Sequence, residues 1–175
     1  MTGGVVTLIG LMGAGKTRVG RTAAAAVGRA FVDTDRLVER TAGRTITDIF
    51  ASEGELGFRR RERAAVEAAT ATPGALVSVG GGAVLDERNV ARMRAAGQVV
   101  WLYAEPETLA QRLRRSVLRG DRPLLVDADP VAVLRGLLEE RRAAYDAAAT
   151  TVLCTDGLAV EESTRLLTDW LREHA

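Results

Sequence analysis

Gly10-Leu11-Met12-Gly13-Ala14-Gly15-Lys16-Thr17 matches the pattern G-x-x-x-x-G-K-[ST] at every fixed position. Such a stretch can cradle a triphosphate. Its glycines let backbone N–H groups turn inward as an anion nest, and a threonine hydroxyl there can reach Mg²⁺. Lys16 is the only lysine in the chain; the other 23 of the 24 basic residues are arginines. A sequence that writes arginine almost everywhere keeps lysine where a compact ammonium must reach the β- and γ-phosphates, a place too narrow for a planar guanidinium. The plain alternative is a glycine-rich turn that binds nothing. Context favours the nucleotide. Val5–Ile9 reads as a buried strand, and Val19, Thr22, Ala23, Ala26 and Val27 repeat at helical spacing, so the loop joins a strand to a helix N-terminus.

Two carboxylates come next, in Phe31-Val32-Asp33-Thr34-Asp35, where a second strand should end beside the loop. One could hold Mg²⁺ through water and the other accept a hydrogen bond from a substrate hydroxyl; alternatively Asp35 merely caps the helix that follows. The charge run Arg59-Arg60-Arg61-Glu62-Arg63 is read as a solvated face at Arg60, Arg61 and Arg63. Gly80-Gly81-Gly82 follows another apolar strand at its carboxyl end, where it is either a plain turn or a site of close approach by a ligand.

The elements that must position these groups alternate along the chain. Strands are expected at Val5–Ile9, Ala30–Asp33, Ala75–Val79, Gln98–Tyr103 and Thr151–Cys154. Helices are expected at Lys16–Val27, Asp35–Thr41, Thr47–Ser52, Glu55–Ala71, Asp86–Ala96, Pro106–Arg115, Val131–Ala149 and Ala159–Glu173. That alternation implies an α/β, three-layer α/β/α fold with a five-stranded parallel sheet and right-handed crossovers; the order expected for its strands is 2-3-1-4-5. Asp33–Arg61 and Ser116–Pro123 break the rhythm. With 175 residues and 47% hydrophobic content the chain suits one domain, 1–175. The net charge of +1 leaves no strong basic field for nucleic acid, while the arginine clusters at Arg59–Arg63 and Arg112–Arg122 suit a small anion. Neither a membrane span nor a signal peptide is visible, so no membrane partner and a reducing cytoplasm are expected, with a monomer as the assembly. The single cysteine, Cys154, is expected to be buried in a strand, and His174 to lie in a frayed terminus without a role.

GLMGAGKT, FVDTD, FRRRE, VSVGGGAV, RPLL and RRAAY occur in the order and spacing of the shikimate kinases, and the resemblance runs from Val5 to about Trp170. It implies transfer of a phosphoryl group from ATP to shikimate, giving shikimate 3-phosphate on the route to chorismate and the aromatic amino acids. Gly13, Ala14, Gly15, Lys16 and Thr17 would bind the ATP phosphates, with Thr17 on Mg²⁺ and Asp33 reaching it through water. Asp35 would bind substrate hydroxyls and assist deprotonation of the attacking one. Arg59 and Arg141 would clamp the substrate carboxylate, Glu62 would orient Arg59, and Gly80, Gly81 and Gly82 would meet the ring hydroxyls through backbone groups. Counting back four residues from Tyr145 selects Arg141 over Arg142. Arg115 resembles the family's adenine-stacking arginine, and Arg122 the catalytic arginine of a lid over about Arg112–Leu125; the substrate segment would span about Asp33–Arg61. A kinase for gluconate or a nucleoside monophosphate is the near competitor. A nucleobase acceptor fits poorly, because Asp33–Arg61 offers only Phe50 and Phe58 and no Asn or Gln. Gluconate, also a carboxylated polyol, is separated only by the resemblance. A regulatory nucleotide-binding module would not require Thr17, Asp33, Asp35 and Arg122 together.

Overall fold

The computed structural model describes residues 3–118 and 129–174. Five parallel strands, β1 (Val5–Ile9), β2 (Phe31–Asp33), β3 (Leu76–Ser78), β4 (Gly97–Tyr103) and β5 (Thr151–Cys154), form one sheet in the order β2-β3-β1-β4-β5. The helices are α1 (Lys16–Ala26), α2 (Thr34–Ala42), α3 (Ile46–Thr70), α4 (Glu87–Ala96), α5 (Pro106–Leu118), α6 (Pro130–Ala148) and α7 (Val160–His174), with a short 3-10 turn at Ala83–Leu85. Strand order and element sequence agree with the expectation. Every residue of β1 is buried, as a central strand covered on both faces requires.

Strand register is what assembles the site. Asp33 lies opposite Ser78, and Ser78 opposite Leu8, so β2, β3 and β1 end side by side. The segments leaving them carry Asp35, Gly80–Gly82 and the Gly10–Thr17 loop. In an open parallel sheet this carboxyl edge is where ligands bind. The main core packs on both faces of the sheet. A second, smaller core of Val38, Ile49, Phe58 and Ala65, with Leu37, Ala42 and Ile46, binds α2 to α3. This separate cluster gives α2 and the first half of α3 their own packing.

The two helices expected at Thr47–Ser52 and Glu55–Ala71 are joined as α3, broken at Gly54 with φ 66° and ψ −173°. Only glycine adopts that conformation without strain. The break is braced by Glu53, which pairs with Arg61 at 2.8 Å and with Arg44; Arg61 above all, then Arg44, holds its carboxyl at about 2. Arg63 pairs with Asp86 at 2.9 Å. Arg61 and Arg63 are therefore half-buried ties to neighbouring elements and not a solvated face, whereas Arg60 is exposed. Two further expectations are corrected. Cys154 is exposed, because β5 is an edge strand whose alternate residues Val152 and Cys154 point away from the sheet while Leu153 is buried. His174 is ordered against Trp170, ring on ring at 5.1 Å, and does not fray. Among the described residues no helix is long and apolar enough to cross a membrane.

Candidate functional site

The phosphate loop leads directly into α1. Gly15, at φ 92°, is the residue before the helix, and no side chain caps the N–H groups of the first turn; no acidic residue occupies that turn either. Those donors are left for an anion. The Lys16 ammonium folds over the loop and donates to the carbonyls of Gly10 at 2.7 Å and Leu11 at 3.0 Å. Thr17 donates its hydroxyl hydrogen to Asp33 Oδ2 at 2.7 Å, which turns the oxygen's lone pairs elsewhere. Asp33 Oδ1 accepts from the backbone N–H groups of Asp35 and Arg36. Asp33, not Asp35, is thus the N-cap of α2. Asp35 lies in the first turn of that helix and is not its cap.

Asp35, Arg59, Glu62 and Arg141 converge on Gly80–Gly82. A β-carbon built on Gly80 would lie 3.0 Å from both Asp35 Oδ1 and Glu62 Oε1. One built on Gly81 would lie 3.6 Å from the Tyr145 hydroxyl and 3.7 Å from Arg141 Nη1, and one on Gly82 only 2.8 Å from both Arg59 terminal nitrogens. The three glycines are therefore a surface against which the polar groups are pressed. Arg59 donates to Glu62 at 2.7 Å, and Glu62 is 2% exposed. Burial pushes the Glu62 carboxyl up from its ordinary value; Arg59 pulls against this, while Asp35 and Asp86 add to it. Burial would lower the Arg59 guanidinium, but its bond to Glu62 and their attraction outweigh that and raise it.

Arg141 is largely buried, at 16% side-chain exposure; its buried Nε lies 3.9 Å from Glu140 Oε1 and, among the described residues, has no hydrogen-bond partner. A buried guanidinium N–H without an acceptor is costly. It suits a site whose acceptor arrives with a ligand. Four residues on, Tyr145 donates to the Gly81 carbonyl at 2.6 Å and stacks on Trp101; burial lifts its hydroxyl to about 12. Arg142 instead is exposed and lies over the Tyr103 ring, 5.7 Å from its centre. The count back from Tyr145 selected the arginine that faces the cleft.

One cleft of about 800 Å³ is lined by Gly13, Lys16 and Thr17 of the phosphate loop and by Asp35, Arg59, Glu62, Gly80–Gly82 and Arg141. Ala14, also expected in the loop, is buried beneath it. Arg112, which the sequence reading left without a role, also lines the cleft. Residues 112–118 form the last turns of α5. The side chain of Arg115 and the whole of Arg122 lie outside the described residues.

One end of this cleft suits a triphosphate and the other a small carboxylated polyol. A sequence model of the shikimate kinase family matches residues 12–172. Shikimate kinase of Symbiobacterium thermophilum is 49% identical over 168 residues, covering 96% of each chain. The structure of shikimate kinase from Acinetobacter baumannii in complex with shikimate superposes with a TM-score of 0.87 at 37% identity, covering 98% of this chain and 95% of that one. A gluconokinase from Sinorhizobium meliloti reaches a TM-score of 0.60 at 18% identity over 98% of this chain and 93% of its own, a likeness of fold alone. Matched by the family model over residues 12–172 and by relatives nearly end to end, the chain belongs to the shikimate kinase family.

Proposed function

We propose that this chain transfers the γ-phosphoryl group of ATP to a ring hydroxyl of shikimate, giving ADP and shikimate 3-phosphate. The observation that carries the reading is one cleft lined both by the Lys16–Thr17 phosphate loop and by Asp35 with two half-buried arginines, Arg59 and Arg141. Lys16 leaves the loop carbonyls for the β- and γ-phosphates, and the uncapped N–H groups of α1 hold the phosphate oxygens. The Thr17 oxygen, oriented by Asp33, fits a bound Mg²⁺. Among the described residues no group of three or more His, Cys, Asp or Glu could cage a metal, so phosphates and water would complete the shell. When bound, Mg²⁺ neutralises charge on the transferring group.

Arg59, braced by Glu62, and Arg141 take the substrate carboxylate; the Gly80–Gly82 backbone lies against the ring. Asp35 orients the attacking hydroxyl and accepts its proton as the oxygen–phosphorus bond forms and the bond to ADP breaks. From the family likeness, Arg122 takes the further task of adding positive charge to the transferring phosphoryl. The test is ADP release with shikimate, quinate, gluconate and nucleoside monophosphates offered separately as acceptors. Shikimate should give the highest kcat/KM, and a preference for gluconate would overturn the assignment.

A further inference from the structure

Tyr145 stands one turn beyond Arg141 on α6 and is fully buried. Its ring stacks on Trp101 of β4, centre to centre at 5.1 Å. Phenylalanine would make that contact as well, so packing alone does not call for a hydroxyl. A phenol hydroxyl withdrawn from water must find partners, or its burial is a net cost. Both partners here belong to residues that line the cleft. The hydroxyl hydrogen goes to the Gly81 carbonyl, 64 residues away in the chain, at 2.6 Å. The oxygen faces Arg141, whose guanidinium opposes the effect of burial on the hydroxyl, by its charge and by a hydrogen bond. The single donor is thus committed to the glycine wall and a lone pair to an arginine of the carboxylate clamp.

We infer that Tyr145 is a positioning residue for the acceptor: its hydroxyl ties Arg141 to the glycine wall, and so fixes the spacing between the group that takes the carboxylate and the backbone that lies against the ring. An arginine has many rotamers, and one ordered only when its ligand arrives binds that ligand more weakly. Glu62 supplies such order to Arg59 through a carboxylate. Tyr145 supplies it to Arg141 through a neutral group, which leaves the positive charge of Arg141 for the substrate. The tether reaches further. A β-carbon on Gly81 would stand 3.4 Å from the Gly10 carbonyl, the same carbonyl that accepts from Lys16. Gly81 is therefore seated between the first residue of the phosphate loop and α6, and the Tyr145 hydroxyl holds it from the α6 side.

The inference rests on the kinase reading, and the two fail separately. Which acceptor the wild type prefers tests the reading; the inference is tested with that acceptor, since shikimate and gluconate both carry a carboxylate. A wild type that takes no carboxylated acceptor would overturn both. Tyr145→Phe keeps the ring and removes the hydroxyl. Its KM for the acceptor should rise about tenfold, the loss expected when one charge-assisted contact is loosened. The change in kcat should be far smaller, and the ATP dissociation constant, measured by calorimetry, should not move. In an Arg141→Ala background the same substitution should add almost nothing to KM, because the hydroxyl acts through that guanidinium. An acceptor analogue with its carboxylate reduced to an alcohol should be used equally well by wild type and Tyr145→Phe. A hydroxyl that served stability alone would lower the melting temperature and leave KM as it was. That result would overturn the inference, as would a full penalty without Arg141 or a fall in kcat at unchanged KM. Should Tyr145→Phe not fold, the measurement passes to Tyr103→Phe, in which Tyr145 is the one tyrosine left of two. The NMR signal of its hydroxyl-bearing carbon should shift when the acceptor is added and not when the reduced analogue is; a signal indifferent to the acceptor would overturn the inference.

Discussion

Gly82→Ala adds one methyl group at a place where the backbone would not object. Gly82 has φ −95° and ψ −4°, ordinary values for alanine, so no strain is introduced. The new carbon would stand 2.8 Å from both terminal nitrogens of Arg59, whereas ordinary contact begins at 3.4 Å. The guanidinium must therefore retreat by at least ~0.6 Å, and it is the far end of a flexible side chain, so it can. Stability should hold or rise by about 0.4–1 kcal/mol, since alanine restricts the unfolded chain. Function should not hold. A charge-assisted pair to a carboxylate is worth about 1.5–3 kcal/mol, so displacing it should raise the shikimate KM roughly ten- to a hundred-fold. The ATP dissociation constant should stay within about twofold, because the nearest atoms to the added carbon belong to Arg59 and not to the phosphate loop. Steady-state kinetics and calorimetric melting read both quantities. In an Arg59→Ala background the added methyl should cost nothing further. A normal KM in Gly82→Ala, or an undiminished penalty without Arg59, would refute the carboxylate clamp; a large fall in melting temperature would show that the loop was not relaxed.

Lys16→Arg should keep the fold and lose most activity, since the guanidinium cannot occupy the ammonium's place; near-normal turnover would remove the argument from the lone lysine. Asp35→Asn should lower kcat by about 10²–10⁴ with ATP affinity retained, and loss of nucleotide binding at normal kcat would exchange its role with that of Asp33. Glu62 gives a prediction with a sign. Its folded pKa is raised above 4.5, so its contribution to stability is fully present below that value and lost as pH rises through the raised one. Glu62→Gln, neutral throughout, should melt progressively higher relative to wild type as pH climbs from 4.5 toward neutrality; a difference that stays flat with pH would contradict the burial argument.

What the sequence disclosed was mostly local. The phosphate loop is legible because its glycines, lysine and threonine act within eight consecutive residues, and β1 and α1 on either side are strongly patterned. The strand order followed from alternation and the family likeness together. Asp33 as helix cap was not legible: with carboxylates at 33 and 35, the choice depends on where β2 stops, and boundaries are the weakest part of such a reading. The exposure of Cys154 depends on β5 lying at an edge, which an isolated apolar run does not reveal. Arg112 is fixed by oxygens 43 and 46 residues away. Nothing in its neighbourhood in the chain announces that. The ties from Arg61 to Glu53 and from Arg63 to Asp86 are likewise products of the α3 break and of packing against the segment before α4.

One carboxylate, Asp33, touches both halves of the cleft. Its Oδ2 receives the Thr17 hydroxyl of the phosphate loop, and its Oδ1 anchors the helix that carries Asp35. Drawing Thr17 toward a metal–nucleotide complex therefore pulls, through a single rigid group, on the helix that presents the acceptor's base. The expected outcome is a coupling free energy between the two halves, measurable by calorimetry, and such a coupling is reciprocal: whatever factor ADP imposes on shikimate affinity, shikimate must impose on ADP.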